Sequence, residues 1–181
     1  MAQMLRPAYD DYVRNVSNVE WGVSLQTATY LYHLCRATRP ARLLDTGSGF
    51  SSFVFRLYAA KAEAVTVVST DDGEEWLDRT RAFLRQRGLT TDGLVAWPPE
   101  DLAAGRFDLV FHDLAHGAVR VGTMPLVLRS VRRGGGVVVL DDAHHYGERI
   151  FADGRAAGLD LYSLRAHTVD ALGRYAVLGL A

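Results

Sequence analysis

Apolar and polar positions follow two alternating rhythms along this chain. Short, continuously apolar runs recur, and each is followed by a longer stretch whose apolar residues return every three or four positions. The runs Ala41–Asp45, Ala64–Ser69, Gly93–Trp97, Phe107–His112 and Gly136–Leu140 predict β-strands. The stretches Ser51–Ala60, Glu74–Gly88, Val119–Val131 and Tyr146–Gly158 predict helices. Strands apolar on both faces belong in a parallel sheet covered on two sides, and strand–helix alternation gives an α/β domain. Ahead of this pattern, Pro7 predicts the start of a helix through Tyr12 and Val16. Ser24 predicts the N-cap of a second helix, with Leu25, Ala28, Leu31, Leu34 and Cys35 at helical spacing and Pro40 as its stop. At the far end, Leu159–His167 and Gly173–Leu180 predict two strands around a turn at Asp170–Gly173. With no helix expected between them, they should pair antiparallel at the sheet edge.

Composition narrows the classes. The length of 181 residues suits one domain, 1–181, with its own core. A formal net charge of −1 without any Lys/Arg block argues against nucleic acid as a partner. No apolar run approaches the ~20 residues that span a bilayer, and the segment Met1-Ala-Gln-Met-Leu-Arg-Pro7 lacks an apolar signal core. The single cysteine, Cys35, sits among apolar neighbours and reads as packing. A soluble cytoplasmic protein is the expectation.

The first strand leads to candidate chemistry. Arg42-Leu-Leu-Asp-Thr-Gly-Ser-Gly-Phe-Ser51 is a strand ending in an acid, a glycine turn and a helix start. Gly47 and Gly49 let the backbone approach a ligand, and the helix start aims free N–H groups at the same place. A dinucleotide site would hold a pyrophosphate here, but the third glycine of its G-x-G-x-x-G pattern is missing and Asp45 would repel the phosphates. A cationic ligand such as S-adenosylmethionine (SAM), with its sulfonium and ammonium groups, reverses that electrostatic logic. The next strand ends in Asp71 and Asp72, where a carboxylate can accept both ribose hydroxyls. Asp71 is the first choice and Asp72 the second.

Three stretches then carry a resemblance. Asp45-Thr-Gly-Ser-Gly-Phe-Ser51, Phe107-Asp-Leu-Val-Phe-His-Asp113 and Leu128-Arg-Ser-Val-Arg-Arg-Gly-Gly-Gly-Val-Val-Val-Leu-Asp141 stand in the order and spacing of the class I SAM-dependent methyltransferases. The chain resembles that family over nearly its whole length, with Ser51 where many members have a third glycine. The resemblance implies a single Rossmann-like domain whose seven-stranded, mostly parallel sheet has the order 3-2-1-4-5-7-6, with strand seven antiparallel. It implies SAM as cofactor, held by Ser24, Asp45, Gly47, Ser48, Gly49, Ser51, Asp71 or Asp72, Trp97 and Asp113, with the N-terminal helical segment 1–38 on the substrate side.

The acceptor side follows from the other strand ends. Strand four ends in Asp113-Leu-Ala-His116 and strand five in Asp141-Asp-Ala-His-His145. Carboxylates at close range repel, so a cation, a proton or a cationic substrate must relieve them. The set resembles the metal-dependent catechol and caffeoyl-CoA O-methyltransferases, which implies Mg2+, or Mn2+ or Ca2+, on Asp113, Asp141 and Asp142. His116 stands where the catechol enzyme has its catalytic lysine, so it is the expected base, with His144 or His145 in reserve. His33 and His167 read as structural. Two departures from that branch are Asp142 in place of asparagine and the short segment before Ser24. With no cap domain visible, Tyr9, Tyr12, Trp21 and Tyr146 are candidate pocket walls, and a homodimer would complete a small open site. The expected reaction is O-methylation of a small molecule. The rival readings are a non-methylating reaction on the same fold, such as cyclisation or elimination, and a non-catalytic SAM-binding subunit.

Overall fold

The structure, a computed structural model, describes residues 2–99, 102 and 105–181. Its seven strands are β1 Arg42–Thr46, β2 Thr66–Asp71, β3 Leu94–Ala96, β4 Leu109–His112, β5 Val137–Leu140, β6 Asp160–Ser163 and β7 Val177–Leu180. They form one sheet in the order β3-β2-β1-β4-β5-β7-β6. All pairs are parallel except those made by β7, which runs antiparallel to both β5 and β6. This is the expected Rossmann-like order.

The period-two alternation of the strands divides the core into two layers. Leu43, Leu109, Phe111, Val137 and Val139 pack with α1 (Ala2–Asn15), α2 (Leu25–Thr38), α3 (Phe50–Ala59) and α4 (Glu74–Gln86). Leu44, Val110, Val138 and Leu140 pack on the other face with α5 (Gly117–Ser130) and α6 (Ala143–Ala156). Central strands are therefore buried on both sides, which is why their sequences read as unbroken apolar runs.

Several element boundaries differ from expectation for identifiable reasons. Helix α1 begins well before Pro7, which lies inside it, because buried Leu5, Tyr9 and Tyr12 recur on one face and anchor the turns on both sides of the proline. Helices α5 and α6 start earlier than their apolar periodicity implies, since their first turns carry Gly117, His144 and His145 in place of apolar residues. The expected terminal hairpin is interrupted by a one-turn helix, α7, Arg165–Thr168, and His167 lies on it, not on a strand. Thr168 Oγ1 donates to Leu164 O at 3.0 Å and accepts from Ala176 N at 3.0 Å, which ties the connection across its base. The expected cap of α2 is present: Ser24 Oγ accepts from Thr27 N at 3.0 Å, and the helix ends at Thr38, before Pro40.

Phe111 is 0% exposed at the middle of the sheet, so Phe111→Ala should cost about 3–5 kcal/mol in urea denaturation. Tyr162→Ala on the edge strand, 51% exposed, should stay within ~0.5 kcal/mol.

Candidate functional site

Strand order reverses at β1, which pairs with β2 on one side and β4 on the other. Ligands of open α/β sheets bind outside the strand ends at such a switch point. A cleft of about 250 Å3 opens there, between the turn after β1 and the loops after β4 and β5.

The first wall is the turn from β1 into α3. Gly47 has φ 96°, and a Cβ there would lie 2.4 Å from the carbonyl oxygen of Asp113. A Cβ on Gly49 would lie 2.7 Å from the Tyr12 hydroxyl. The turn is thus shaped by the loop after β4 on one side and by α1 on the other. Asp71, at the end of β2, fastens it: Oδ2 accepts from Ser48 N at 2.7 Å and Oδ1 from Gly73 N at 3.1 Å. Ser51 Oγ donates to Gly47 O at 3.4 Å. Gly47, Ser48, Gly49, Ser51, Asp71 and the exposed Asp72 all line the cleft. Burial raises the Asp71 carboxyl above its ordinary pKa, against the pull of its two backbone donors.

Three expected cofactor residues stand elsewhere. Asp45 is fully buried behind the turn and is not a lining residue. Its Oδ2 accepts from Ser52 Oγ at 2.5 Å and Ser69 Oγ at 2.9 Å, while Oδ1 has no partner. Burial pushes its carboxyl up to about 6, opposed by these hydroxyls and by the buried Arg56. Ser24 is occupied in capping α2, and its neighbours Gly22 and Val23 line the cleft in its place. Trp97, whose N–H donates to Asp71 O at 2.8 Å, packs half-buried against the second core layer, away from the lining; Trp76 of α4 lines the cleft.

The second wall gathers Asp113, Asp141, Asp142 and a residue that sequence reasoning missed, Arg120. Arg120 lies in α5 and is 2% exposed. Its Nε donates to Leu114 O (2.8 Å) and Ala115 O (3.1 Å). Its Nη2 donates to Asp113 O (3.0 Å), Asp113 Oδ1 (2.7 Å) and Ala115 O (2.8 Å). Nη1 has no hydrogen-bond partner and lies 3.4 Å from Asp142 Oδ2. Ala115 (φ 51°) and Asp142 (φ 56°) both adopt the left-handed region, a strained backbone of the kind that collects at functional sites. The expected three-carboxylate metal centre is therefore not what the geometry presents. The acids are brought together, but Arg120 stands between Asp113 and Asp142, and among the described residues no group of three or more His, Cys, Asp or Glu is arranged to hold a metal ion. Two added charges ~5 Å from that guanidinium would meet a repulsion on the order of 7 kcal/mol at an effective dielectric of ~20. Burial, together with Asp142, pushes the Asp141 carboxyl up to about 7. Burial also raises Asp113, opposed by the Arg120 guanidinium and reinforced by Asp141 and Asp142.

The histidines divide. His116 is exposed, lines the cleft and meets Trp21 edge to face with ring centroids 4.8 Å apart. His144 sits behind Asp142, with Nδ1 3.8 Å from its Oδ1, and is not a lining residue; His145 is exposed beside it. Of the four candidate aromatic walls, Tyr12 and Trp21 line the cleft. Tyr9 packs on Phe50, and the Tyr146 hydroxyl accepts from Gly117 N at 2.8 Å. Arg174, also missed, lines the cleft and donates through Nη1 to Glu20 O (2.8 Å) and Gly22 O (3.1 Å), while Nε holds Asp170 at 2.7 Å.

The chain is similar to several solved structures. One is the O-methyltransferase TomG from Streptomyces achromogenes in complex with SAM, at TM-score 0.73 and 19% identity, covering 98% of this chain and 88% of that one. Another is cofactor-bound Rv0187 from MTB, at TM-score 0.70 and 26% identity, covering 98% and 89%. A third is the 4+2 cyclase SpnF, at TM-score 0.61 and 14% identity, covering 99% and 93%. No family model and no curated protein matches the chain. The shared architecture is the Rossmann-like methyltransferase fold.

The raised Asp45 carboxyl has a pH consequence. An unfolded Asp titrates near ~3.9, so the native protein holds this proton more tightly between there and about 6. This contribution to stability is complete below the unfolded value and is lost as pH rises through about 6. Asp45→Asn should flatten the fall of melting temperature over that window, measured by thermal denaturation at a series of pH values.

Proposed function

We propose that this chain binds SAM and transfers its methyl group to a hydroxyl of a small molecule. The observation that carries the reading is the charge of the cleft. Glu20, Asp71, Asp72, Asp113, Asp141 and Asp142 line it against the cations Arg120 and Arg174. A pyrophosphate cofactor meets net repulsion there, and a sulfonium with an ammonium meets attraction. Asp71 is the ribose acceptor, already oriented by two backbone N–H groups, with Asp72 beside it. The Gly47–Ser51 turn supports the amino-acid end of the cofactor. Asp45 contributes from behind, holding the first turn of α3 through Ser52. TomG, of the same fold, is an O-methyltransferase solved with SAM.

In the reaction, the acceptor oxygen attacks the methyl carbon in line with the carbon–sulfur bond. That bond's electron pair returns to sulfur and leaves a neutral thioether. The hydroxyl proton goes to a base, a role we assign to His116, which lines the cleft and meets Trp21 edge to face. His144, 3.8 Å from Asp142 and outside the lining, stays the base in reserve, and Asp113 forms the wall beside the reacting groups. No helix among the described residues is long and apolar enough to cross a membrane. Trp21 is 57% exposed, and a second copy of the chain would cover it. A non-methylating reaction is the second reading, supported by the cyclase SpnF on the same fold.

Calorimetric titration should give micromolar SAM binding and none for NADH, and Asp71→Asn should weaken SAM by about tenfold or more. In an acceptor screen read by mass spectrometry, the product should gain one methylene unit. His116→Ala should lower kcat about a hundredfold or more with SAM affinity unchanged. No SAM binding would overturn the reading. A product of unchanged composition would favour the second one.

A further inference from the structure

A buried cation already occupies the place between Asp113 and Asp142. Arg120 contacts Asp113 Oδ1 at 2.7 Å, approaches Asp142 Oδ2 at 3.4 Å and cannot release its charge at any working pH. A divalent ion such as Mg2+ needs near-octahedral oxygen ligands at ~2.1 Å. Here the nearer Asp113 oxygen is taken, and a second cation would sit against the first on the wall of the cleft. The guanidinium is itself fixed: Nε and Nη2 are saturated by the carbonyls of residues 113, 114 and 115. Its one unfilled donor, the buried Nη1, remains on the Asp142 side. The carboxylates match those of a metal-dependent enzyme, yet the charge that relieves them is supplied from within the chain.

We propose that Arg120 is the resident cation of this pocket, a positioning residue that stands where a divalent ion would otherwise be held, and that the chain takes its acceptor without a divalent metal. The clause about the acceptor rests on the methyl-transfer reading; the clause about the cation does not. Arg120 aligns Asp113 and Asp142 and offsets the charge of an acceptor oxygen as its proton leaves. Metal sequestration would then leave turnover unchanged.

The test is a Mn2+ titration of the full, chelator-stripped chain, with free Mn2+ read by electron paramagnetic resonance. The wild type should bind no Mn2+ below about 1 mM. Arg120→Met, which removes the charge and keeps the stem, should bind it at least about tenfold more tightly. Adding Asp113→Asn should abolish that gain. Arg120→Lys should exclude Mn2+ like the wild type, although it loses the bonds to the loop carbonyls, so charge is separated from loop shape. Micromolar Mn2+ binding by the wild type overturns the proposal. So does an Arg120→Met variant, folded by near-ultraviolet circular dichroism, that binds no more tightly than the wild type. If that variant does not fold, the wild-type and Arg120→Lys titrations decide: exclusion in both upholds the proposal, and binding by the wild type or a gain in the lysine variant overturns it. SAM titration of the same samples reports separately on the methyl-transfer reading, which fails only if the cofactor does not bind.

Discussion

The site depends on how one buried guanidinium satisfies its donors. A charged group out of reach of water must find protein oxygens or it destabilises the fold. Arg120 finds them in three successive carbonyls and a carboxylate of the loop after β4. That pulls the loop against the start of α5 and holds the Asp113 carbonyl against the turn after β1, where only a glycine leaves room for it. The two walls of the cleft are therefore one mechanical unit. A change to the arginine reaches Gly47 through a backbone oxygen that both depend on.

Behind the turn, a second polar assembly does comparable work without touching the cleft. Asp45, Ser52, Ser69 and Arg56 are buried together, and Arg56 bonds to Ser69 Oγ and to the carbonyl of Asp92. These contacts link β1, α3, β2 and the approach to β3. The acid near the end of β1 is a structural hub behind the turn, and the acid at the end of β2 lines the cleft. Two carboxylates at neighbouring strand ends thus differ in setting, because only Asp71 borders the cleft.

What could be read from the chain was what local sequence determines. Strand runs, the Ser24 cap and the glycine turn each follow from residues within a few positions, whereas the sheet order came only from the family resemblance that three motifs carry. Arg120 was not legible because an arginine on a helix ordinarily faces water, and only the fold of the preceding loop turns it inward. Arg174 was hidden for the same reason: its partners, Glu20 and Gly22, lie at the other end of the chain. Trp97 follows β3 with its ring on the second core layer, and Trp76, on a helix whose position the sequence does not fix, lines the cleft. The one-turn helix α7 escaped because its fixing contacts run from Thr168 to Leu164 and Ala176 and leave no periodic pattern.

The contact between Tyr12 and Gly49 has a consequence for the molecule's history and its engineering. The first helix resembles an appendix laid over a finished sheet. Yet its tyrosine hydroxyl stands where a side chain on the ligand turn would have to go. The appendix is therefore the back of the mould in which that turn is cast. Any graft, truncation or permutation of this domain that parts the leading helix from the sheet would keep the sheet topology and lose the surface that shapes its first turn.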